Sequence, residues 1–184
     1  TLAHEAGCDV PQDKIQKAVK VIHDVLFNQK DQAWREYGIH DLAAVNLAMH
    51  NALTTAELQI LMNDYTRRSI ESKAFLLWAA AILKADSRSS LIALLRELDP
   101  KISLSRTSWQ NSSVRETAAT LMAALEIEGA SQQADKLAGM LFKAIREDGK
   151  WNSTADTGFS LFALSRYLEK KGIDTSKEIK VSLH

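Results

Sequence analysis

The chain has 184 residues, and 23 Lys plus Arg balance 23 Asp plus Glu. Hydrophobic residues at 46% and charged residues at 25% exclude a disordered or low-complexity chain, and zero net charge gives no global pull toward nucleic acid or an anionic membrane. The single cysteine, Cys8, excludes an internal disulfide and a cysteine-based zinc cluster. The longest apolar run, residues 74–83, is about half of a membrane span. The length suits one domain, 1–184. Seven glycines and two prolines (Pro11 and Pro100) favour helices with short connections.

After Pro11, the residues Ile15, Ala18, Val19, Ile22, Val25 and Leu26 fall at spacings of three and four. They predict an amphipathic helix over 12–27. Residues 41–53 predict a helix richer in Ala and Leu. Thr55 is read as the N-cap of a helix over 56–67, with Leu58, Leu61, Met62 and Tyr65 on one face. Ser69 starts the helix that carries the long apolar run, over 72–84. Ser87 starts another over 88–98, with Pro100 as its stop. Residues 99–111 read as a loop. Ser113 and Glu116 have capping-box spacing before an apolar run over 114–127, and Gly129 follows as a stop. Ser131 opens a helix over 132–146, which Asp148-Gly149 ends. The last helix runs over 155–168 and stops at Gly172. Residues 178–183 are the only candidate strand.

The helices alternate between two kinds. Those at 12–27, 56–67, 88–98 and 132–146 carry one apolar stripe and a charged back. Those at 41–53, 72–84, 114–127 and 155–168 are apolar nearly all round and predict burial on both sides. The second kind repeats a frame. Ser153, Asp156, Gly158 and Leu161 align with Ser113, Glu116, Ala118 and Leu121, and with Ser69, Ser72, Ala74 and Leu77; Asp41 and Ala43 fit loosely. Three copies follow a tryptophan: Trp34, Trp109 and Trp151. The expected fold is all-α: an α/α toroid of outer amphipathic helices around inner Ala/Leu-rich ones.

Chemistry-bearing motifs are few. His4, His23, His40, His50 and His184 include no i, i+4 pair and no metalloprotease motif. No nucleophile elbow, P-loop or dinucleotide fingerprint occurs. Glu116 and Asp156 fall in first turns, where a carboxylate serves free N–H groups and the helix dipole. Trp109 and Trp151 each precede an inner helix, and read either as plugs over helix ends or as exposed anchors for a partner. Asn111-Ser112-Ser113 and Asn152-Ser153-Thr154 match the glycosylation acceptor, but their place at helix starts suits caps. Asp9 beside Cys8 raises the thiol pKa and argues against a nucleophile. The expected catalytic, cofactor and metal residues are none.

The string from Asp148-Gly149-Lys150-Trp151 through Ser153-Thr154-Ala155-Asp156-Thr157 to Leu161, Ala163, Leu164, Tyr167 and Leu168 resembles the last inner helix of the thioester (complement-like) domain of the α2-macroglobulin family, bacterial type. The opening Leu2-Ala3-His4-Glu5-Ala6-Gly7, then Val10-Pro11 and an amphipathic helix, is similar to the family's second hairpin. The resemblance implies an α/α toroid inside a protease-trapping inhibitor, not an enzyme. Its expected partners are other domains of the parent and, through it, a target protease, with no nucleic acid and no membrane insertion. It also implies an exported, periplasmic or secreted location. The family's thioester joins a Cys to a Gln three residues on. Here Cys8 is followed by Asp9, Val10 and Pro11, with Gln12 four residues away, and no C-x-x-Q exists. No thioester residue carries over. The resemblance makes this chain the later part of a domain, with the reactive motif upstream of Thr1, or else a member that lacks the thioester; it is short for a closed toroid, with residues 174–184 leading toward a β-domain.

Two rival readings stay open. Gly149-Lys150-Trp151 echoes a terpene-cyclase repeat, but Ile145 stands where that repeat has Gln, and no aspartate-rich ionising motif exists. A helical scaffold binding another protein without covalent chemistry is the other.

Overall fold

The computed structural model describes residues 10–27, 39–103 and 112–173, with backbone only at 39 and 40. Among the described residues the fold is all-α. Its helices are α1 (Gln12–Phe27), α2 (Ile39–Met49), α3 (Thr55–Met62), α4 (Ile70–Leu83), α5 (Arg88–Arg96), α6 (Ser113–Ile127), α7 (Gln132–Lys143) and α8 (Thr154–Lys170), with a 3₁₀ turn at Tyr65–Arg67. The chain forms two compact units, Thr1–Leu98 and Asp99–His184. The expected strand at 178–183 and exit segment at 174–184 lie outside the described residues, as do Trp34 and Trp109.

In the first unit, the inner helices α2 and α4 pack against each other; α1 lies on α2, and α3 and α5 lie on α4. In the second unit α6 and α8 are the inner pair, and α7 contacts both. The alternation read from sequence is therefore a packing order for the contacts, but the burial on both sides expected of 155–168 is corrected: α8 buries Asp156, Ser160, Ala163 and Leu164 and leaves Thr154, Gly158, Leu161 and Ser165 exposed. Residues 74–80 of α4 are buried without interruption, and so are 117–125 of α6. Leu76, Leu77, Leu95, Leu121 and Leu141 are fully buried. Each such side chain contributes about 1.5–3 kcal/mol by leaving water.

Caps fix where helices begin. Ser69, Ser87, Ser131 and Ser153 each accept a backbone N–H three residues on. Two expected caps are corrected by one residue. Thr54, not Thr55, caps α3: its hydroxyl accepts from the Glu57 N–H, while its own N–H and hydroxyl donate to Glu57 Oε2 at 2.9 and 2.8 Å. Thr55 has Leu58 three residues on, which cannot reciprocate. Ser112, not Ser113, caps α6. The Ser113 hydroxyl is taken by the incoming chain, accepting from the Ser103 N–H (3.0 Å) and donating to the Ser103 carbonyl (3.3 Å).

Ends differ too. The helix expected over 56–67 stops at Met62 and resumes as the 3₁₀ turn. The helix expected to reach residue 146 ends at Lys143. Gly129, Gly149 and Gly172 hold φ of +73°, +74° and +71°, left-handed values that only glycine adopts at no steric cost. Gly149 turns the chain so that the Arg146 N–H reaches the Lys150 carbonyl at 2.9 Å.

Leu77→Ala or Leu121→Ala is expected to lower unfolding free energy by about 2–5 kcal/mol, read from urea midpoints at constant slope. Thr54→Ala removes both bonds of the capping hydroxyl and should cost about 1 kcal/mol. A core truncation below the cap loss would contradict the burial described.

Candidate functional site

The repeated polar position of the inner helices is buried at Asp41, Ser72 and Asp156 and half-buried at Glu116. Asp41, in the first turn of α2, is 1% exposed. Arg68, at the end of the 3₁₀ turn, donates from Nη1 to both carboxylate oxygens at 2.7 and 2.9 Å, and from Nη2 to the Leu61 carbonyl at 3.0 Å. Ser72, the same repeat position on α4, hydrogen-bonds Asp41. Two aligned positions of neighbouring inner helices thus meet at one carboxylate. Burial pushes the Asp41 carboxyl above its ordinary value, and Arg68 and Ser72 pull it part of the way back.

The second unit treats the position differently. Asp156 is buried in the first turn of α8, and its Oδ1 has no protein partner; neither has the buried Ser160 hydroxyl one turn on. Glu116 is half-buried, and burial raises its carboxyl despite Arg115 beside it. Two helices of this unit are also tied at the surface. Asp135 of α7 accepts from Lys171 Nζ at 2.6 Å and from the Tyr167 hydroxyl at 2.8 Å, which holds its carboxyl below the ordinary value.

His23 lies on α1 and donates from Nε2 to Glu57 Oε1 at 2.8 Å, with its ring tilted against Phe27. Glu57 therefore serves α3 with one oxygen and α1 with the other. Burial alone would raise it, but the bonds from Thr54 and His23 outweigh that and leave it lowered. His50 follows α2 and lines two shallow cavities along α1, of about 340 and 250 Å³. A third, of about 570 Å³, is bounded by Leu26, Phe27, Ile60, Leu61, Asn63, Asp64 and Arg68. Among the described residues no three His, Cys, Asp or Glu could hold a metal ion. No described helix is long and apolar enough to cross a membrane.

Trp151 is 4% exposed. Its indole N–H donates to the Leu141 carbonyl at 3.0 Å, and its backbone N–H donates to Thr157 Oγ1 at 3.3 Å. Burial overturns the exposed-anchor reading for this residue: the indole plugs the C-terminal end of α7. Cys8, Trp109, His4 and His184, and the His40 side chain, lie outside the described residues. Sequence reasoning missed Arg68 and the bridge between His23 and Glu57. The capping box at Thr54 and Glu57 was visible as a T-x-x-E spacing, whereas the partner of His23 lies 34 residues away and has no local signature.

With this geometry in hand, the comparison with known proteins is direct. Residues 2–167 match the family model of the A-macroglobulin TED domain. The chain belongs to that family and is part of an α2-macroglobulin-like protein. No curated protein and no solved structure matches it significantly.

Arg68→Ala strands a buried carboxylate and is expected to cost about 3 kcal/mol near neutral pH. A carboxyl raised in the folded state favours folding below the unfolded value of 3.8, and that contribution fades as pH rises through the folded value. The variant should therefore recover part of its loss at about pH 4.5, measured by urea unfolding; an equal loss at both pH values would contradict this. Glu57 has the opposite sign. Its contribution is present above 4.5 and is lost as pH falls through its lowered value. Glu57→Gln should flatten that part of the acid limb.

Proposed function

We propose that the chain is part of the thioester-type domain of a protease-trapping inhibitor, and that it performs no catalysis of its own. The family match over residues 2–167 carries this reading. In such a protein an internal ester between a Cys thiol and a Gln side chain is kept from water until cleavage elsewhere exposes it. The attacking protease then supplies an amine, the acyl group passes from sulfur to nitrogen, and the thiol is released. This chain has no C-x-x-Q, so the reactive pair would be provided by other parts of the parent. Its own contribution is packing: the inner helices α2 with α4, and α6 with α8, are buried against each other.

The partners in this reading are the other domains of the parent and, through them, a target protease, with neither nucleic acid nor a membrane as partner. The location is extracytoplasmic. The missing C-x-x-Q also favours a second reading, a helical scaffold that binds a protease or another protein without a covalent bond.

The two separate on the full-length parent. Methylamine treatment followed by mass measurement should show one amine added, and protease challenge should give a covalent complex that survives denaturant. No amine uptake with protease still sequestered would favour the scaffold. A parent that neither takes up amine nor slows cleavage of a large substrate would end both.

A further inference from the structure

The seam between α1 and α2 has a wall chemistry that the packing does not use. The cavity of about 340 Å³ is lined by Gln12, Gln16, Lys20 and His23 of α1 and by His50 just after α2, beside an apolar wall of Ile15 and Val19. The cavity of about 250 Å³ shares Ile15, Val19 and His50 with it and adds Lys14 and Asn46. Shared walls make the two adjoining parts of one groove. Among the described residues that line it there is no carboxylate. In a chain of zero net charge, Lys14, Lys20, His23 and His50 thus share one groove with no acid among them.

The polar groups of this groove are also uncommitted. Elsewhere basic residues are paired: Lys17 with Asp13 at 3.6 Å, Arg68 with Asp41 at 2.7 Å, Lys171 with Asp135 at 2.6 Å. Among the described residues, the side chains of Gln12, Gln16, Lys20 and His50 have no hydrogen-bond or ion-pair partner. His23 is bonded to Glu57, whose other oxygen is taken by Thr54. Positive groups that share a groove repel one another, and an anion between them turns that repulsion into attraction. The cavity of about 570 Å³ lacks this character, because Asp64 lines it and its Arg68 is already committed to Asp41.

The helix that forms the groove supplies a separate observation. Of the 16 residues of α1 only Leu26 is buried. The shorter outer helices bury more: Leu91 and Leu95 on α5, and Ala134, Leu137, Ala138 and Leu141 on α7. Ile15 and Val19 are only half-buried, so the seam stays open where the groove runs. A ligand that touches both Lys20 and His50 would join α1 to the end of α2 there.

We propose that the groove binds a small phosphate- or sulfate-bearing anion between Lys20 and His50, with Gln12 and Gln16 donating further hydrogen bonds, and that the bound anion fastens α1 to α2. The donors are point charges and amides without an arginine fork, which suits the several oxygens of a tetrahedral anion better than the two of a carboxylate. The volume of about 340 Å³ falls at the lower end of small-molecule sites. Ile15 and Val19 give the body of an ester an apolar surface to rest on. The inference stands on the first unit alone and does not rest on the trap reading.

The test is calorimetric titration of the 184-residue chain with inorganic phosphate and with phenyl phosphate, at constant ionic strength held by sodium chloride. Saturable binding of one anion per chain is expected. Lys20→Met keeps the apolar stem and removes the charge, and should weaken binding about tenfold or more; His50→Gln should do the same. Lys17→Met removes the same charge from the same helix but outside the groove, and should leave binding unchanged. Phenyl phosphate binding more tightly than inorganic phosphate supports an ester as the ligand, and equal affinity supports the free anion. Absence of saturable binding overturns the proposal. So does binding that Lys20→Met and His50→Gln leave intact, or that Lys17→Met weakens as much, since it then reflects an adventitious ion only. Hydrogen exchange gives a second reading. At about ten times the dissociation constant, amides of α1 should exchange about tenfold more slowly, while those of α7 in the other unit keep their rates. Unchanged rates in α1, or equal slowing in both helices, overturn the fastening.

Discussion

Helices with no polar face impose this architecture. The uninterrupted burial of residues 74–80 on α4 and 117–125 on α6 leaves neither helix a side to offer water. An isolated helix of that kind has no stable existence in water, so neighbours must supply every face. The polar backs of α1, α5 and α7 follow from that demand: these helices, together with α3, cover the inner ones and accept the solvent themselves. Within each unit, packing of this kind leaves little free volume for the chain to deform residue by residue.

Polar groups inside such a body have to be reconciled with burial. The first unit does so locally, with Arg68 and Ser72 around Asp41. Asp41 and Arg68 are held by four segments at once: the start of α2, the end of α3, the 3₁₀ turn and the start of α4. A buried ion pair of this kind adds little net stability against an apolar substitute, but it penalises every arrangement that separates the two charges. Asp156 and Ser160 leave oxygens without protein partners in the equivalent place of the second unit, so the two units solve the same repeat position unequally.

Much of this was legible in the sequence. Helical periodicity, serine caps and stop glycines located the elements, and the contrast between striped and all-round apolar segments gave their order of packing. The family resemblance rested on the string around Trp151 and agrees with the match over residues 2–167. What escaped was non-local. The Arg68 partner of Asp41 lies 27 residues away, and the Glu57 partner of His23 lies 34 away. Neither spacing repeats, so no pattern in the chain announces them. Cap positions slipped by one because adjacent hydroxyls, Thr54 with Thr55 and Ser112 with Ser113, compete for the same role, and only the third residue on or a distant carbonyl decides between them. Trp151 shows a different limit: sequence placed it in a connection, and only the fold shows that its ring turns inward.

That inward turn has a consequence for how the chain tolerates change. Connections on a protein surface usually accept insertions and deletions, because their backbone meets water. The segment between α7 and α8 is largely exposed, yet it ends in an indole whose N–H must reach the Leu141 carbonyl while its backbone N–H reaches Thr157. The span from Lys143 to Trp151 therefore has a fixed length. Residues such as Glu147 and Lys150 are free to vary in kind, but adding or removing one would carry the ring off its seat and uncap α7, so drift in this connection is confined to substitution.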